Sequence, residues 1–286
     1  MSIIEAILQG IIQGLSEFLP ISSSGHLSLF QHFFGLSGET AVLTVLVMHL
    51  GTLVAVFVAF RQKIYELIFE AFSLLRDIFT LKFSWKRMNG NRRMIIMIIV
   101  SILPLFGFYI FRNFFEVLAS DTDIIAEGIS FLYTSLLLFI SIHYSKGNTK
   151  TAGETTVPSA LFIGVFQGVA LLPGVSRSGS TISASLLCGM KREDAVEYSF
   201  ILGIPVILAG AFTEISDVGQ NVRVDVLPLV VGALTAAVVG FFAIKLIQKL
   251  VVSDKFKIFA YYTGILGIFV IGLGIAEMFI KMPYMG

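Results

Sequence analysis

The chain has 286 residues, 56% of them hydrophobic and only 14% charged, with a formal net charge of +1. That balance excludes a water-soluble globular protein, and the near-zero net charge offers no basic surface for a nucleic-acid partner. The single Cys188 rules out an intrachain disulfide, and four scattered histidines make no zinc spacing.

The start, Met1-Ser2-Ile3-Ile4-Glu5, lacks the basic region of a cleaved signal peptide. An apolar stretch over 1–35 follows, broken in its middle by Pro, Ser and Gly. A spanning helix is predicted over 41–60, because about 20 apolar residues cross the hydrocarbon core. The next connection carries Arg61, Lys63, Arg76, Lys82, Lys86, Arg87, Arg92 and Arg93 against Glu66, Glu70 and Asp77. Such a Lys/Arg excess marks the cytoplasmic side. Within it, the aromatic residues of 65–85, Trp85 among them, read as an interfacial helix. Spans over 94–112 and 124–144 flank a connection, 113–123, with Glu116, Asp121 and Asp123 but no Lys or Arg, which fits the outside. Lys146 and Lys150 in 145–156 return the chain inside. A second broken apolar stretch, 157–190, comes next, then spans over 195–214, 226–247 and 256–280. Lys191, Arg192, Lys249, Lys255 and Lys257 fit the inside, and 215–225 falls outside by alternation. Glu127 and Glu197, near predicted helix ends, read as interfacial.

On this count, 1–35 begins and ends outside and 157–190 begins and ends inside. Both therefore read as re-entrant hairpins, whose broken backbone is tolerated only when buried in protein or lining a cavity. The two also resemble each other. Gln13-Gly14 leads to Pro20, Ser22, Ser23, Ser24 and Gly25, while Gln167-Gly168 leads to Pro173, Ser176, Arg177, Ser178 and Gly179. Three spans follow each, and an odd number of crossings gives an inverted pair with a binding site near the midplane. The expected fold is an all-α integral membrane protein of six transmembrane helices plus two re-entrant helical hairpins in an inverted-topology repeat. It forms a single membrane domain over 1–286, with repeat one at 1–144 and repeat two at 157–280.

Arg177 is the residue that points most directly to function. A guanidinium at bilayer depth costs about 2.5–3.5 kcal/mol on the gentlest insertion scale. Its planar fork suits phosphate, and the hydroxyls and glycine-freed N–H groups of 174–181 add donors around an anion. The first stretch supplies Glu17, three serines and His26 within ten residues. If the hairpin tips meet, a nucleophile, a base, a carboxylate and an anion clamp share one pocket. That set suits phosphoryl transfer, with a carboxylate able to hold Mg²⁺ or Ca²⁺ beside substrate phosphates. The bland alternatives are that the serines serve only close helix packing, that His26 is interfacial, and that His49 packs within 41–60 rather than supporting the site.

Gln13-Gly14-Leu15-Ser16-Glu17-Phe18-Leu19-Pro20-Ile21-Ser22-Ser23-Ser24-Gly25-His26 resembles the N-terminal signature of the bacterial undecaprenyl-diphosphate phosphatases of the bacitracin-resistance type. Pro173-Gly174-Val175-Ser176-Arg177-Ser178-Gly179-Ser180-Thr181 resembles their second signature, and His49-Leu50-Gly51-Thr52 also fits. The resemblance implies hydrolysis of a C55 isoprenyl diphosphate to the monophosphate and inorganic phosphate, recycling the lipid carrier for wall synthesis. It implies a divalent cation and a multi-pass protein of the bacterial cytoplasmic membrane whose site opens to the outer face. By position, Glu17 matches the second motif acid, Ser23 the proposed nucleophile, His26 the motif histidine and Arg177 the diphosphate-binding arginine. Ser22, Ser24, Gly174, Ser176, Ser178 and Thr181 fall in the substrate-binding motifs. Gln13 stands where many members have glutamate, so a metal site there would rest on Glu17 and the Gln13 amide oxygen.

Two mechanisms stay open: attack by Ser23, with His26 or Glu17 taking its proton, or direct attack by water. A carrier or flippase of a phosphorylated lipid is the competing class, since broken inverted repeats are common in carriers. The small-residue helix faces suit a homodimer.

Overall fold

The computed structural model describes residues 1–35, 39–111, 124–217 and 225–281. Among them the chain forms eleven α-helices and no β-strand. The first stretch becomes α1 (Ile3–Phe18) and α2 (Ser23–Phe34), followed by α3 (Glu39–Ala59), α4 (Arg61–Phe79), α5 (Gly90–Tyr109) and α6 (Ile125–Tyr144). The second becomes α7 (Val157–Val169) and α8 (Arg177–Leu187), followed by α9 (Arg192–Asp217), α10 (Val226–Val251) and α11 (Lys257–Lys281).

Five helices are long and apolar enough to cross a membrane: Gly90–Tyr109, Ile125–Tyr144, Arg192–Phe212, Val226–Val251 and Lys257–Ile280. The expected span over 41–60 corresponds to Leu43–Ala59, which turns by 86° into α4. That turn sets α4 apart as a separate amphipathic helix covering most of the 65–85 stretch. Tyr65, Ile68, Phe69 and Phe72 are exposed along it, while Ile64, Leu67 and Leu74 are buried. Trp85 falls in a separate 3₁₀ turn, Trp85–Arg87. Several helices run a few residues past the expected spans. α5 starts at Gly90 because the Asn89 side chain caps it, its Oδ1 accepting from Arg92 N at 2.7 Å. Arg92 then binds Glu70 (2.7 Å) and Asp77 (2.9 Å) and pins α5 to α4. The expected connection 113–123 and most of 215–225 lie outside the described residues.

With lipid tails as apolar as leucine, helices in a bilayer associate by close packing rather than by burial from water. Small residues provide it here. A Cβ on Gly14 of α1 would stand 2.8 Å from the Ala236 carbonyl oxygen and 2.9 Å from Gly240 N of α10. A Cβ on Gly267 of α11 would stand 2.7 Å from the Gly128 carbonyl oxygen of α6. α7 likewise nests on α5, with Gly164 against Pro104. These pairings bury 19–22 and Gly174–Ser176 in the protein interior, while Leu171 of the second break stays exposed.

Both breaks restart a helix by the same device. Ser22 Oγ accepts from Gly25 N (3.1 Å) at the start of α2, and Ser176 Oγ accepts from Gly179 N (3.0 Å) at the start of α8. Part of the remaining broken backbone is satisfied across elements. Ser24 Oγ accepts from Gly174 N (3.3 Å), Thr134 Oγ1 accepts from Ser176 N (3.2 Å), and Ser130 Oγ donates to the Pro173 carbonyl (2.7 Å). Ser22 is strained: its φ of +74° is a conformation a non-glycine residue adopts at a cost of order 1–3 kcal/mol.

Candidate active site

The two tips meet. Ser178 Oγ reaches the Leu19 carbonyl (3.4 Å), and the Ser24–Gly174 bond ties the other side. Between them lies Glu17, in the last turn of α1 and 6% exposed. Its Oε1 accepts from Arg177 Nη2 at 2.5 Å. Its Oε2 accepts from Ser23 Oγ (2.8 Å) and from Gln13 Nε2 (3.1 Å), and His49 Nε2 lies 3.6 Å away. Glu17, Ser23, Gln13 and Arg177 thus form one connected cluster.

The pair is electrostatically committed. Removing one member of a buried ion pair leaves the other uncompensated, at about 3–5 kcal/mol. Arg177 is held from behind by a missing side chain. Gly203 of α9 packs against the guanidinium, so that an added Cβ would stand 2.9 Å from Cζ and 3.1 Å from Nη2.

Other predicted site residues have different places. Ser22 and Ser176 are the helix caps, and Gly174 takes φ +80° at the second tip, where an L side chain would be strained. Thr181 Oγ1 donates to the Arg177 carbonyl (3.0 Å) and lies 2.5 Å from Ser199 Oγ, so it braces α8 against α9. His26 is turned away from Ser23. Its Nδ1 lies 2.7 Å from the Ser22 carbonyl oxygen and its Nε2 2.7 Å from Tyr262 Oη of α11. A carbonyl only accepts, so Nδ1 carries the proton. In the neutral ring Nε2 is then the basic nitrogen and takes the Tyr262 O–H. The rings of His26 and Tyr262 also stack, and Phe131 meets His26 edge-on.

Glu127 corrects an expectation. It does lie in the first turn of α6, yet it is buried (5% exposed) rather than interfacial. α2 and the second tip cover it: Ser28 Oγ donates to its Oε1 at 2.6 Å, and a Cβ on Gly174 would stand 2.9 Å from its Cα. Its Oε2 has no hydrogen-bond partner. Glu197 lies inside α9, partly exposed, and pairs with Lys63 at 3.3 Å.

For a cation, the decisive atom is Gln13 Oε1, fully buried and without a hydrogen-bond partner among the described residues while its own amide N–H reaches Glu17. An orphaned carbonyl oxygen beside a carboxylate and a serine hydroxyl is an all-oxygen set that fits a hard cation. Among the described residues no group of three or more His, Cys, Asp or Glu could hold a metal ion. A cation here would share one carboxylate with the substrate's own phosphate oxygens.

The family model described as "Bacitracin resistance protein BacA" matches residues 6–269. A protein of Carboxydothermus hydrogenoformans named undecaprenyl-diphosphatase is 38% identical over 285 residues, covering 98% of this chain and all of the relative. One of Halothermothrix orenii with the same name is 39% identical over 275 residues, covering 95% and 98%. One from Treponema denticola is 38% identical over 272 residues, covering 94% and 96%. The chain belongs to the BacA family. Its members' length is matched almost end to end, and the apolar helices make this BacA protein a multi-pass membrane protein.

Four residues of this BacA site escaped the sequence reading. Tyr262 is one aromatic among many in an apolar helix, 236 residues from His26. Gly203 is a glycine without a turn to explain it. Thr134 and Ser130 look like ordinary packing residues. The one available signal was Gly203, because a glycine inside a long apolar helix commonly marks close approach by another group.

Proposed function

We propose that this protein is an isoprenyl-diphosphate phosphatase that hydrolyses undecaprenyl diphosphate to undecaprenyl phosphate and inorganic phosphate. The observation that carries the reading is the Arg177–Glu17–Ser23 chain at the junction of the two tips. The names of the relatives support the substrate.

The geometry favours Glu17 as the base. Ser23 Oγ donates to a carboxylate oxygen that is already aimed, and Arg177 fixes the other oxygen. As Ser23 Oγ attacks the terminal phosphorus, its proton passes to Glu17 and the bridging P–O bond breaks, releasing the lipid monophosphate. Water then attacks the phosphoserine, phosphate leaves, and the serine regains its proton. Arg177, with the 174–181 backbone, holds the negative charge that builds on the phosphoryl oxygens. His26, whose basic Nε2 is held by Tyr262, is placed to move a proton near the α2 tip rather than to activate Ser23. Glu17 and Gln13 Oε1 would hold Mg²⁺ or Ca²⁺ together with the diphosphate, and the cation would neutralise phosphate charge.

The paired Ser caps, the matching breaks and the nesting of α1 on α10 and α7 on α5 support an inverted repeat with two re-entrant hairpins. The Lys/Arg distribution supports a membrane protein with Arg61, Lys191 and Lys255 on the cytoplasmic side, and the family resemblance implies a site reached from the outer face. The test is phosphate release from an isoprenyl diphosphate by purified protein with Mg²⁺, Ca²⁺ or chelator. Wild type should release phosphate, Ser23→Ala and Arg177→Ala should not, and ³²P should be trapped on Ser23. Full activity in Ser23→Ala would leave direct water attack. Leaflet exchange of lipid without phosphate release would make the protein a carrier.

A further inference from the structure

A second cavity lies apart from the Glu17 site. It has a volume of about 600 Å³ and is lined by Arg61, Lys63, Glu66, Glu197, Lys245 and Gln248, among others. Three edge-to-face rings stand between the two. Phe18, next to Glu17, meets Phe200 at 5.3 Å, and Phe200 meets Phe60, on the cavity wall, at 6.0 Å. All three are buried.

The cavity walls carry three cations and two carboxylates, which leaves one positive charge. Lys63 is engaged with Glu197 (3.3 Å) and with Asn91 Oδ1 (3.0 Å). Arg61 and Lys245 form no ion pair among the described residues; Lys245 Nζ lies 5.7 Å over the Phe241 ring. The two cations outside ion pairs are thus Arg61, at the start of α4, and Lys245, in the last third of α10.

An apolar groove of about 250 Å³ lies on two of the helices that line this cavity, α4 and α9. Ile64 and Leu67 follow Lys63 on α4, and Ile201 and Ile204 follow Glu197 on α9, with Ile98 and Ile99 of α5 closing the third side. A charged chamber and an isoleucine-lined groove on the same two helices match the two parts of an amphiphile, a headgroup end and a chain end.

We propose that this composite is a lipid site distinct from the reaction centre, and that its occupant is an anionic phosphodiester lipid. Charge decides the headgroup. A phosphodiester carries one negative charge and balances the single surplus cation. A phosphomonoester carries roughly −1.5 to −2 near neutral pH and would leave uncompensated charge beside Glu66 and Glu197. A zwitterionic headgroup would leave Arg61 and Lys245 unanswered. Anionic lipids with basic side chains at the membrane surface are the ordinary partners for such a chamber.

The test is native mass spectrometry of the full-length protein in detergent. It is titrated with phosphatidylglycerol, phosphatidylcholine, an isoprenyl monophosphate and inorganic phosphate. Wild type should retain phosphatidylglycerol in preference to the other three. Arg61→Gln with Lys245→Gln should weaken that retention by about tenfold or more, as loss of two interfacial charges implies. Ile99→Trp, at an exposed groove position, should block the chain end and weaken it independently while leaving the melting temperature near wild type. Undiminished phosphatidylglycerol in both variants would overturn the site. Tighter retention of the isoprenyl monophosphate, or equal retention of phosphatidylcholine, would overturn the choice of occupant. Displacement of the lipid by inorganic phosphate alone would reduce the site to an anion pocket and overturn the groove's role.

Discussion

Gly203→Ala tests the placement of Arg177 without touching a charged residue. The new methyl carbon would stand 2.9 Å from Arg177 Cζ and closer still to Nη1. Ordinary carbon contacts lie at about 3.5–4.0 Å, so the guanidinium must withdraw by roughly 1 Å. It is the far end of a flexible side chain, so the fold need not follow. Position 203 is mid-helix, where alanine is favoured over glycine by about 0.8–1.0 kcal/mol. Thermal stability should therefore hold or rise slightly, less whatever is lost in the Arg177–Glu17 bond. Catalysis should not hold. A misplacement of about 1 Å at a positioning group costs on the order of 100-fold, and the bond at stake is the 2.5 Å contact that aims Glu17. The assay is kcat/KM for phosphate release from an isoprenyl diphosphate, paired with a melting curve in the same detergent. Near-wild-type kcat/KM in a well-folded Gly203→Ala would refute the claim that the Arg177 position governs the reaction. Equal loss of activity and stability would refute the claim that the fold is indifferent.

Three further outcomes follow from the geometry. Tyr262→Phe removes the hydroxyl from His26 Nε2 but keeps the stacked ring, so kcat should fall by about 10-fold or more with KM little changed, if His26 moves a proton at the usual 10²–10⁴-fold value of such catalysis; an unchanged pH–kcat profile would show that the contact is only packing. Gly14→Ala, aimed at α10 backbone rather than at a flexible side chain, should destabilise by about 1–3 kcal/mol, read as a lowered melting temperature; an unchanged midpoint would show that α1 and α10 can part without cost. Outside the membrane, the Thr151 backbone N–H and hydroxyl hold the Glu154 carboxyl below its usual value; the folded state binds that proton less readily than the unfolded one, so its contribution is present above the unfolded pKa and lost as pH falls through the lower folded value. Glu154→Gln should flatten that acid-side part of the stability profile, measured by melting between about pH 3 and 6, and a profile identical to wild type would sink the assignment.

The sequence made the breaks legible because membrane helices punish them: Pro, Gly and Ser in mid-stretch need a reason, and paired occurrences supply one. The charged positions were legible for the same reason, so Glu17 and Arg177 stood out before any contact was known. What sequence patterning could not supply was burial made by distant elements. Glu127 reads as interfacial because it starts a helix, and only the packing of α2 and the Gly174 loop over that start removes it from the surface. His26 reads as a partner for Ser23 because the two lie three positions apart, but α2 carries it around to Tyr262 of α11. Helix ends moved for local reasons, such as the Asn89 cap of α5.

The matching serine caps stand 154 positions apart, Ser22 with Ser176, and that offset extends past the caps. It sets Ser23 against Arg177, Glu17 against Leu171 and His49 against Gly203. Each comparison puts a reactive or acidic group in one half and a clamp, a hydrocarbon or nothing in the other. In the inverted repeat proposed above, these few substitutions set the chemistry of one half apart from that of the other. Diverging copies need not rebuild a scaffold to gain chemistry; they need only stop agreeing at three or four positions.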